Sequence, residues 1–158
     1  MTLQVLLNLL IGLIWMLLND AWSFGTFAVG YGIGMGLIFA MRRFFPAPFY
    51  GRKSLAVLKL LLLFIVELIK STIVVIRQVL RPRLNIRPGV FRMDTVLQSD
   101  FEITLLAALI TLTPGSVVME VAPQEGVMYV HAMDADEFHG SILDSKRKFE
   151  RAILEVTR

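Results

Sequence analysis

Three ionisable side chains lie inside the most apolar stretch of the sequence, the 22 residues from Leu55 to Ile76. At about 100° per residue in an α-helix, Lys59, Glu67 and Lys70 fall on one narrow stripe. Ionisable groups that face lipid are costly, so such a stripe is expected to face protein, a water-filled cavity or the headgroup layer. Glu67 and Lys70 are three positions apart and can partly neutralise each other. We therefore predict an intramembrane charged pair that serves in an interaction or in a proton relay.

A second group of polar residues, the string HAMDAD at positions 131–136, contains side chains of the types that bind metals. Strand alternation would place His131, Asp134 and Asp136 at the end of a sheet, where polar residues are ordinary, so we expect no metal site. The sequence contains no recognisable set of nucleophile, base and acid, and no phosphate-binding loop. It predicts no enzyme, no cofactor and no small-molecule substrate bound by this chain alone.

Two further sets of residues bear on backbone geometry. Four glycines of the second apolar segment recur at four-residue spacing, the small-xxx-small pattern that lets helices approach closely: Gly30, Gly32, Gly34 and Gly36. We expect them to contact another helix, in this chain or in another polypeptide. Thr113, Pro114 and Gly115 form the other set, a structural turn at which a helix ends and the next strand begins.

The composition is that of a membrane protein, with 56% hydrophobic residues, 18% charged residues and a mean hydropathy of +0.67. The absence of cysteine excludes disulfides and thiolate metal sites. Residues 1–41 carry only one charge, that of Asp20, whereas residues 42–92 carry a net charge of +10 and residues 93–158 one of −6. A basic region between an apolar front and an acidic tail is typical of sequence beside anionic lipid, and we expect no nucleic-acid binding.

The first 80 residues are predicted to form two to three transmembrane helices. Residues 2–18 and 21–41 are apolar segments that suit a tight helical hairpin. For the third segment, residues 55–80, the uninterrupted apolar run Leu60–Val66 favours a helix that crosses the bilayer over one that lies in the interface. Basic residues flank this segment on both sides, and the stronger, C-terminal flank is expected to keep the rest of the chain cytoplasmic.

Residues 81–158 are predicted to form a small cytoplasmic α/β domain with the order β-α-β-β-α. The Ser-x-x-Glu spacing of a capping box at Ser99 and Glu102 predicts the start of the first helix. The strands are expected at Val90–Thr95, Val117–Ala122 and Val127–Met133, with a parallel first crossover. The fold class is therefore a membrane α-helical N-terminal part followed by this domain.

Several strings make the chain similar to a known family. They are the glycine-rich second segment, FIVELIK at 64–70, RPG at 87–89, TLTPGS at 111–116 and YVHAMD at 129–134. In order and over the whole length, they resemble the E subunit of the multisubunit cation/proton antiporters called Mrp, Mnh or Pha. The family's usual final threonine of the fourth string is here Ser116, which keeps the hydroxyl.

The resemblance implies an accessory, assembly-supporting subunit of a complex that exports Na⁺ or another monovalent cation in exchange for protons. It also implies a multi-pass protein of a prokaryotic cell membrane, with other antiporter subunits and the lipid bilayer as partners, and a role in alkali and salt tolerance. In that family the ion-pumping machinery is attributed to the two large subunits. The residues agree, because one glutamate and two lysines cannot form a relay across a bilayer.

A function of another class stays open at this point. The chain could be a membrane-tethered adaptor whose cytoplasmic domain binds a soluble protein. Purification in mild detergent separates the two functions, because a component of a complex is expected to elute with several larger membrane proteins and an adaptor as a small homogeneous species.

Overall fold

The computed structural model describes residues 2–45, 49–83 and 86–158, and the side chains within these ranges except those of residues 136–138. The chain divides into two compact units, residues 1–55 and 56–158. The predicted domain boundary lies after residue 80, so the two divisions differ in the unit to which they assign most of the third helix.

The first unit is built on a helical hairpin of α1 (Thr2–Leu18) and α2 (Phe24–Ala40), followed by a short 3₁₀ helix at Arg42–Phe44. The helix α2 begins at an N-cap, Ser23, whose hydroxyl oxygen accepts a hydrogen bond from the Thr26 backbone N–H at 3.1 Å. The buried residues of α1 recur every four positions and form the stripe that packs on α2: Gln4, Asn8, Gly12 and Met16.

The prediction of a membrane-spanning N-terminal part is wrong. Within residues 2–45, 49–83 and 86–158, no helix combines the length and the apolar character that crossing a membrane requires. The helices predicted at 2–18 and 21–41 are α1 and α2, each of 17 residues, short of the roughly 20 that a bilayer core requires. The segment predicted at 55–80 belongs to α3 (Tyr50–Val79), which is 30 residues long but has charged side chains along its length.

The second unit contains most of α3 and a small α/β arrangement. Its further elements are β1 (Gly89–Asp94), α4 (Asp100–Leu112), β2 (Ser116–Ala122), β3 (Val127–Ala132) and α5 (Ala135–Thr157). Strands and helices follow one another in the order that the sequence predicts. The capping box at the start of α4 is present, since the Ser99 hydroxyl accepts from the Glu102 N–H and the Glu102 carboxylate accepts from the Ser99 N–H.

The three strands form an antiparallel sheet in the order β1-β3-β2. β1 and β2 both pair antiparallel with β3, so they run parallel to each other, as the expected crossover requires, but β3 lies between them. A register shift between Val118 and Glu120 interrupts the outer pairing of β2, which is typical of a bulge at a sheet edge.

An apolar core holds the second unit together. Alternate residues of β1 and β3 point into it, and α4 and α5 cover the same face of the sheet. The most completely buried members are Met93, Leu106, Met128, Val130, Phe149 and Ile153. Leu60 of α3 belongs to the same cluster, so α3 is bound to this unit by apolar contacts as well as by charges.

Candidate functional site

The predicted charged residue Glu67 is buried on α3 and has three hydrogen-bond donors. The Lys70 ammonium lies 3.1 Å and the Lys148 ammonium 3.0 Å from its Oε1 atom. The Ser145 hydroxyl donates to its Oε2 atom at 2.8 Å. The structure thus brings Glu67 and Lys70 together as the spacing predicts, and adds two residues from α5 that the sequence analysis did not include. We call these four residues the Glu67 cluster.

Helical spacing explains how the cluster is positioned. Glu67 and Lys70 are one turn apart on α3, and Ser145 and Lys148 are one turn apart on α5, so each helix presents two polar groups on one face. The α5 pair was not predicted because it lies 78 and 81 positions from Glu67, and no local spacing pattern indicates a contact at that separation. A usable signal was the polar Ser145 inside a stripe that is otherwise apolar, between Ile142 and Phe149.

The electrostatics of the cluster favour an ionised carboxylate. Burial tends to raise the pKa of Glu67, but hydrogen bonds from Lys148, Ser145 and Lys70 together hold the pKa below its usual range. One carboxylate faces two ammonium groups, so the cluster has a net charge of +1. A group in this environment keeps its charge near neutral pH and stabilises the contact between α3 and α5.

A cavity of about 50 Å³ lies beside the cluster. Besides Glu67, its lining includes hydroxyl groups and apolar side chains from α3, α4, α5 and the turn after α4: Ser71, Thr113, Pro114, Ser116, Ser141 and Phe149. The volume suits a few water molecules rather than an organic substrate. The cavity also shows that the predicted charged pair and the predicted turn, far apart in sequence, are neighbours in the fold.

The turn at Thr113–Ser116 ends α4 through hydroxyl groups. The Thr113 and Ser116 hydroxyls both donate to the Ile110 carbonyl oxygen, at 2.6 and 3.0 Å. Thr113 has an extended backbone, which suits the residue before Pro114. Gly115 has a φ of 95°, in the left-handed region that glycine adopts most readily. The geometry is that of a helix end turned sharply into β2.

The four predicted contact glycines of α2 divide into two pairs. A Cβ atom at Gly30 would lie 2.5 Å from the Trp15 Cβ atom of α1, and one at Gly34 would overlap the Asn8 side chain. Gly32 and Gly36 have no such neighbour within 4 Å. One face of α2 is therefore used for close approach to α1, as the small-xxx-small pattern permits.

A buried polar cluster in the first unit was not expected from the sequence. The Asn8 side-chain NH₂ donates to the Tyr50 hydroxyl at 2.5 Å, and the Tyr50 backbone N–H donates to the Gln4 side-chain oxygen at 3.0 Å. Burial and the neighbouring Tyr31 hydroxyl raise the pKa of Tyr50 to about 12. The four-residue spacing of Gln4 and Asn8 on an apolar helix was the available signal, and these two side chains connect α1 to the start of α3.

His131 and Asp134 of the HAMDAD string take no part in the hydrogen bonds of the Glu67 cluster. His131 is half-buried on β3, and the buried Asp134 accepts a hydrogen bond from the Gln78 side chain at 3.4 Å. The Asp136 side chain lies outside the described residues. Within the part of the chain that the structure describes, no three histidine or carboxylate side chains are grouped to hold a metal ion.

Fold and site together define the class of protein: a helical hairpin followed by a small α/β domain, in which the buried Glu67 of α3 is hydrogen-bonded to Ser145 and Lys148 of α5. The family described as Na⁺/H⁺ ion antiporter subunit, MNHE, matches residues 8–156. The chain belongs to this family, and the resemblance found in the sequence is confirmed.

Full-length relatives support the same assignment. The chain is 44% identical to the E subunit of the Na⁺/H⁺ antiporter of Bacillus subtilis (strain 168), over 100% of both chains. It is 42% identical to the protein of the same name from Alkalihalophilus pseudofirmus, also over 100% of both.

Two solved structures are also similar. A chain of the Mrp complex from Dietzia sp. DQ12-45-1b is 34% identical, with a TM-score of 0.45 over 61% of this chain and 94% of that one. A chain of the membrane-bound sulfane sulfur reductase, an archaeal respiratory membrane complex, is 20% identical, with a TM-score of 0.53 over 95% of this chain and 98% of that one. The second similarity shows a shared fold.

Proposed function

We propose that the chain is an accessory, assembly-supporting subunit of a multisubunit Na⁺/H⁺ antiporter in a prokaryotic cell membrane. The complex exports monovalent cations and takes up protons, and the other subunits are the partners of this one. The proposal is supported by the match to the antiporter-subunit family over residues 8–156 and by relatives of equal length that are named as E subunits of Na⁺/H⁺ antiporters.

The observation that supports an accessory role is that Glu67 is hydrogen-bonded to Lys70, Ser145 and Lys148 of its own chain. A proton station must gain and lose its proton near the working pH and must reach the next station. Glu67 instead has three donors from its own chain and a lowered pKa. We propose that the Glu67 cluster braces α3 against α5, so that this unit is presented to the other subunits in one conformation.

Detergent purification with a tag on this chain tests the proposal. We expect co-elution with several much larger membrane proteins, and elution as a small homogeneous species would instead support the adaptor function. The variant Glu67→Gln distinguishes a brace from a proton station. A brace predicts reduced assembly, whereas loss of antiport in vesicles with a fully assembled complex would contradict the accessory role.

We also propose that the C-terminal residues lie on the cytoplasmic side. The support is the group of five arginines between positions 77 and 92, since basic segments are retained beside the anionic cytoplasmic leaflet. The chain contains no cysteine, so a single introduced thiol reports on location without background. In Asp144→Cys, a change at an exposed position of α5, the thiol should resist an impermeant reagent in intact cells and react after permeabilisation. Labelling in intact cells would contradict this orientation.

A further inference from the structure

One side of α3 within the second unit is an uninterrupted apolar surface. Between positions 57 and 79, ten large aliphatic side chains are each between 40% and 64% exposed. They are Val57, Leu58, Leu61, Leu62, Ile65, Val66, Ile69, Ile73, Ile76 and Val79. A contiguous surface of this size exceeds the scattered apolar exposure of a typical monomer and indicates an interaction site. We call it the α3 apolar face.

The opposite side of α3 is already occupied. Leu60, Glu67 and Gln78 are buried there, and at about 100° per residue they fall on the side of the helix away from Ile65 and Ile69. Thr72 is the polar residue nearest the middle of the apolar face, and its hydroxyl donates to the Leu68 carbonyl oxygen within the helix at 2.7 Å. The α3 apolar face therefore presents no unmet hydrogen-bonding group at Thr72.

A row of cations follows one flank of this face. Lys59, Lys70 and Arg77 lie within about 20° of one another around the helix and extend about 27 Å along it, at 1.5 Å per residue. Their side chains are long enough to bury the aliphatic stem against the apolar surface while the charge reaches water. Lys70 and Lys59 each have a carboxylate partner, Glu67 at 3.1 Å and Glu155 at 3.9 Å, but their side chains stay 59% and 62% exposed. The solvent-facing part of the flank is therefore basic.

We infer that the α3 apolar face binds the surface of an anionic bilayer, with α3 lying parallel to the membrane plane. The aliphatic side chains enter the boundary between headgroups and acyl chains, and the basic flank contacts the lipid phosphates. Charge complementarity selects this occupant over an apolar protein surface, because a cationic flank beside an apolar face is the pattern of interfacial helices. The inference names the face that meets the lipid and the orientation of α3, and it is tested on the chain alone, so it can fail while the subunit function stands.

Spin labels at single cysteines measure the immersion of the helix directly. Leu58→Cys, Ile65→Cys, Ile69→Cys and Ile76→Cys sample the face, and Asp144→Cys on α5 is the water-exposed control. The purified full chain is placed in nanodiscs of phosphatidylglycerol and phosphatidylcholine, and accessibility to oxygen is compared with accessibility to a water-soluble nickel complex. We expect all four face positions at one shallow depth, roughly 5–10 Å below the phosphates. Depth that changes steadily along the helix, or nickel access equal to that of the control, would overturn the inference.

The basic flank is tested by a matched pair of charge changes. A basic residue near an anionic membrane surface contributes about 1 kcal/mol, so Arg77→Gln should shift the ratio of immersed to water-exposed label at position 76 about fivefold toward water. Arg151→Gln removes the same charge from an exposed position of α5 and should leave the ratio unchanged. Pure phosphatidylcholine nanodiscs should remove the difference between the two variants. Equal effects of both changes, or an effect that does not depend on phosphatidylglycerol, would show that another apolar surface rather than anionic lipid covers the face.

Discussion

The Glu67 cluster makes a specific prediction about redundancy. The carboxylate side chain is only 7% exposed, whereas the side chains of Lys70 and Lys148 are 59% and 47% exposed. Removing one lysine leaves Glu67 with the other lysine and with Ser145. Because half-exposed ion pairs contribute little, we expect Lys70→Met or Lys148→Met alone to lower the free energy of unfolding by about 1 kcal/mol or less. Removing both leaves a buried carboxylate with one hydroxyl donor, which should cost roughly 3 kcal/mol.

Thermal unfolding of the full chain in detergent measures this cycle. For a chain of this size, 1 kcal/mol corresponds to about 2–4 °C in Tm, so each single variant should shift Tm by a few degrees and the double variant by about three times as much. Adding Glu67→Gln to the double variant removes the isolated charge and should recover part of the loss. Lys59→Met is the control, since this lysine is 62% exposed and 3.9 Å from its partner Glu155. Additive losses in the double variant, or no recovery on neutralising Glu67, would show that the two lysines do not substitute for each other at the buried carboxylate.

Three further predictions concern stability and assembly. Because Gly115 has a φ of 95°, Gly115→Ala should lower the free energy of unfolding by about 1 kcal/mol or more and lower the amount of the protein in cells. The control Gly140→Ala, inside α5 with open space around it, should be neutral or stabilising. Equal effects of the two changes in a thermal melt would contradict this prediction. Gly34→Ala should weaken the helical hairpin by overlap with the α1 side chain opposite, and Gly36→Ala should not, as limited proteolysis of the two variants will report. The pKa of Glu102 is lowered chiefly by a hydrogen bond from the Thr157 hydroxyl at the end of α5. The contribution of Glu102 to stability is therefore complete above the ordinary glutamate pKa and is lost as pH falls below that value. Glu102→Gln should reduce this acid sensitivity, and an unchanged dependence of Tm on pH would contradict the prediction.

The charged stripe of α3 shows which contacts helical spacing predicts and which it does not. Spacing alone placed Lys59, Glu67 and Lys70 on one side of a helix and required a partner for them, because charges in an apolar stretch are otherwise too costly. It could not say that the partner of Glu67 is α5 of the same chain, 78 to 81 positions away. A contact at that separation is decided by how the helices pack, not by local spacing.

Membrane crossing was predicted wrongly for a related reason. Hydropathy over residues 2–41 counts apolar side chains, but it does not show where a helix begins and ends. The first segment, residues 2–18, was predicted with the 17 residues that α1 has, and the N-cap at Ser23 shortens the second, residues 21–41, to the 17 residues of α2. In α3 the uninterrupted run Leu60–Val66 outweighed the charges in the prediction, although the charges recur at each end of that run.

Some features of the fold depend on local sequence alone: the capping box that begins α4, the turn at Pro114 and Gly115, and the order of strands and helices after residue 88. Each depends on residues within a few positions of one another, whose backbone preferences act in any context. Packing between distant elements sets which strand lies in the middle of the sheet, which glycines meet α1, and the shared cavity of the Thr113–Ser116 turn and Glu67. These outcomes follow from filling one apolar core with elements distant in sequence, and that packing is a property of the whole chain.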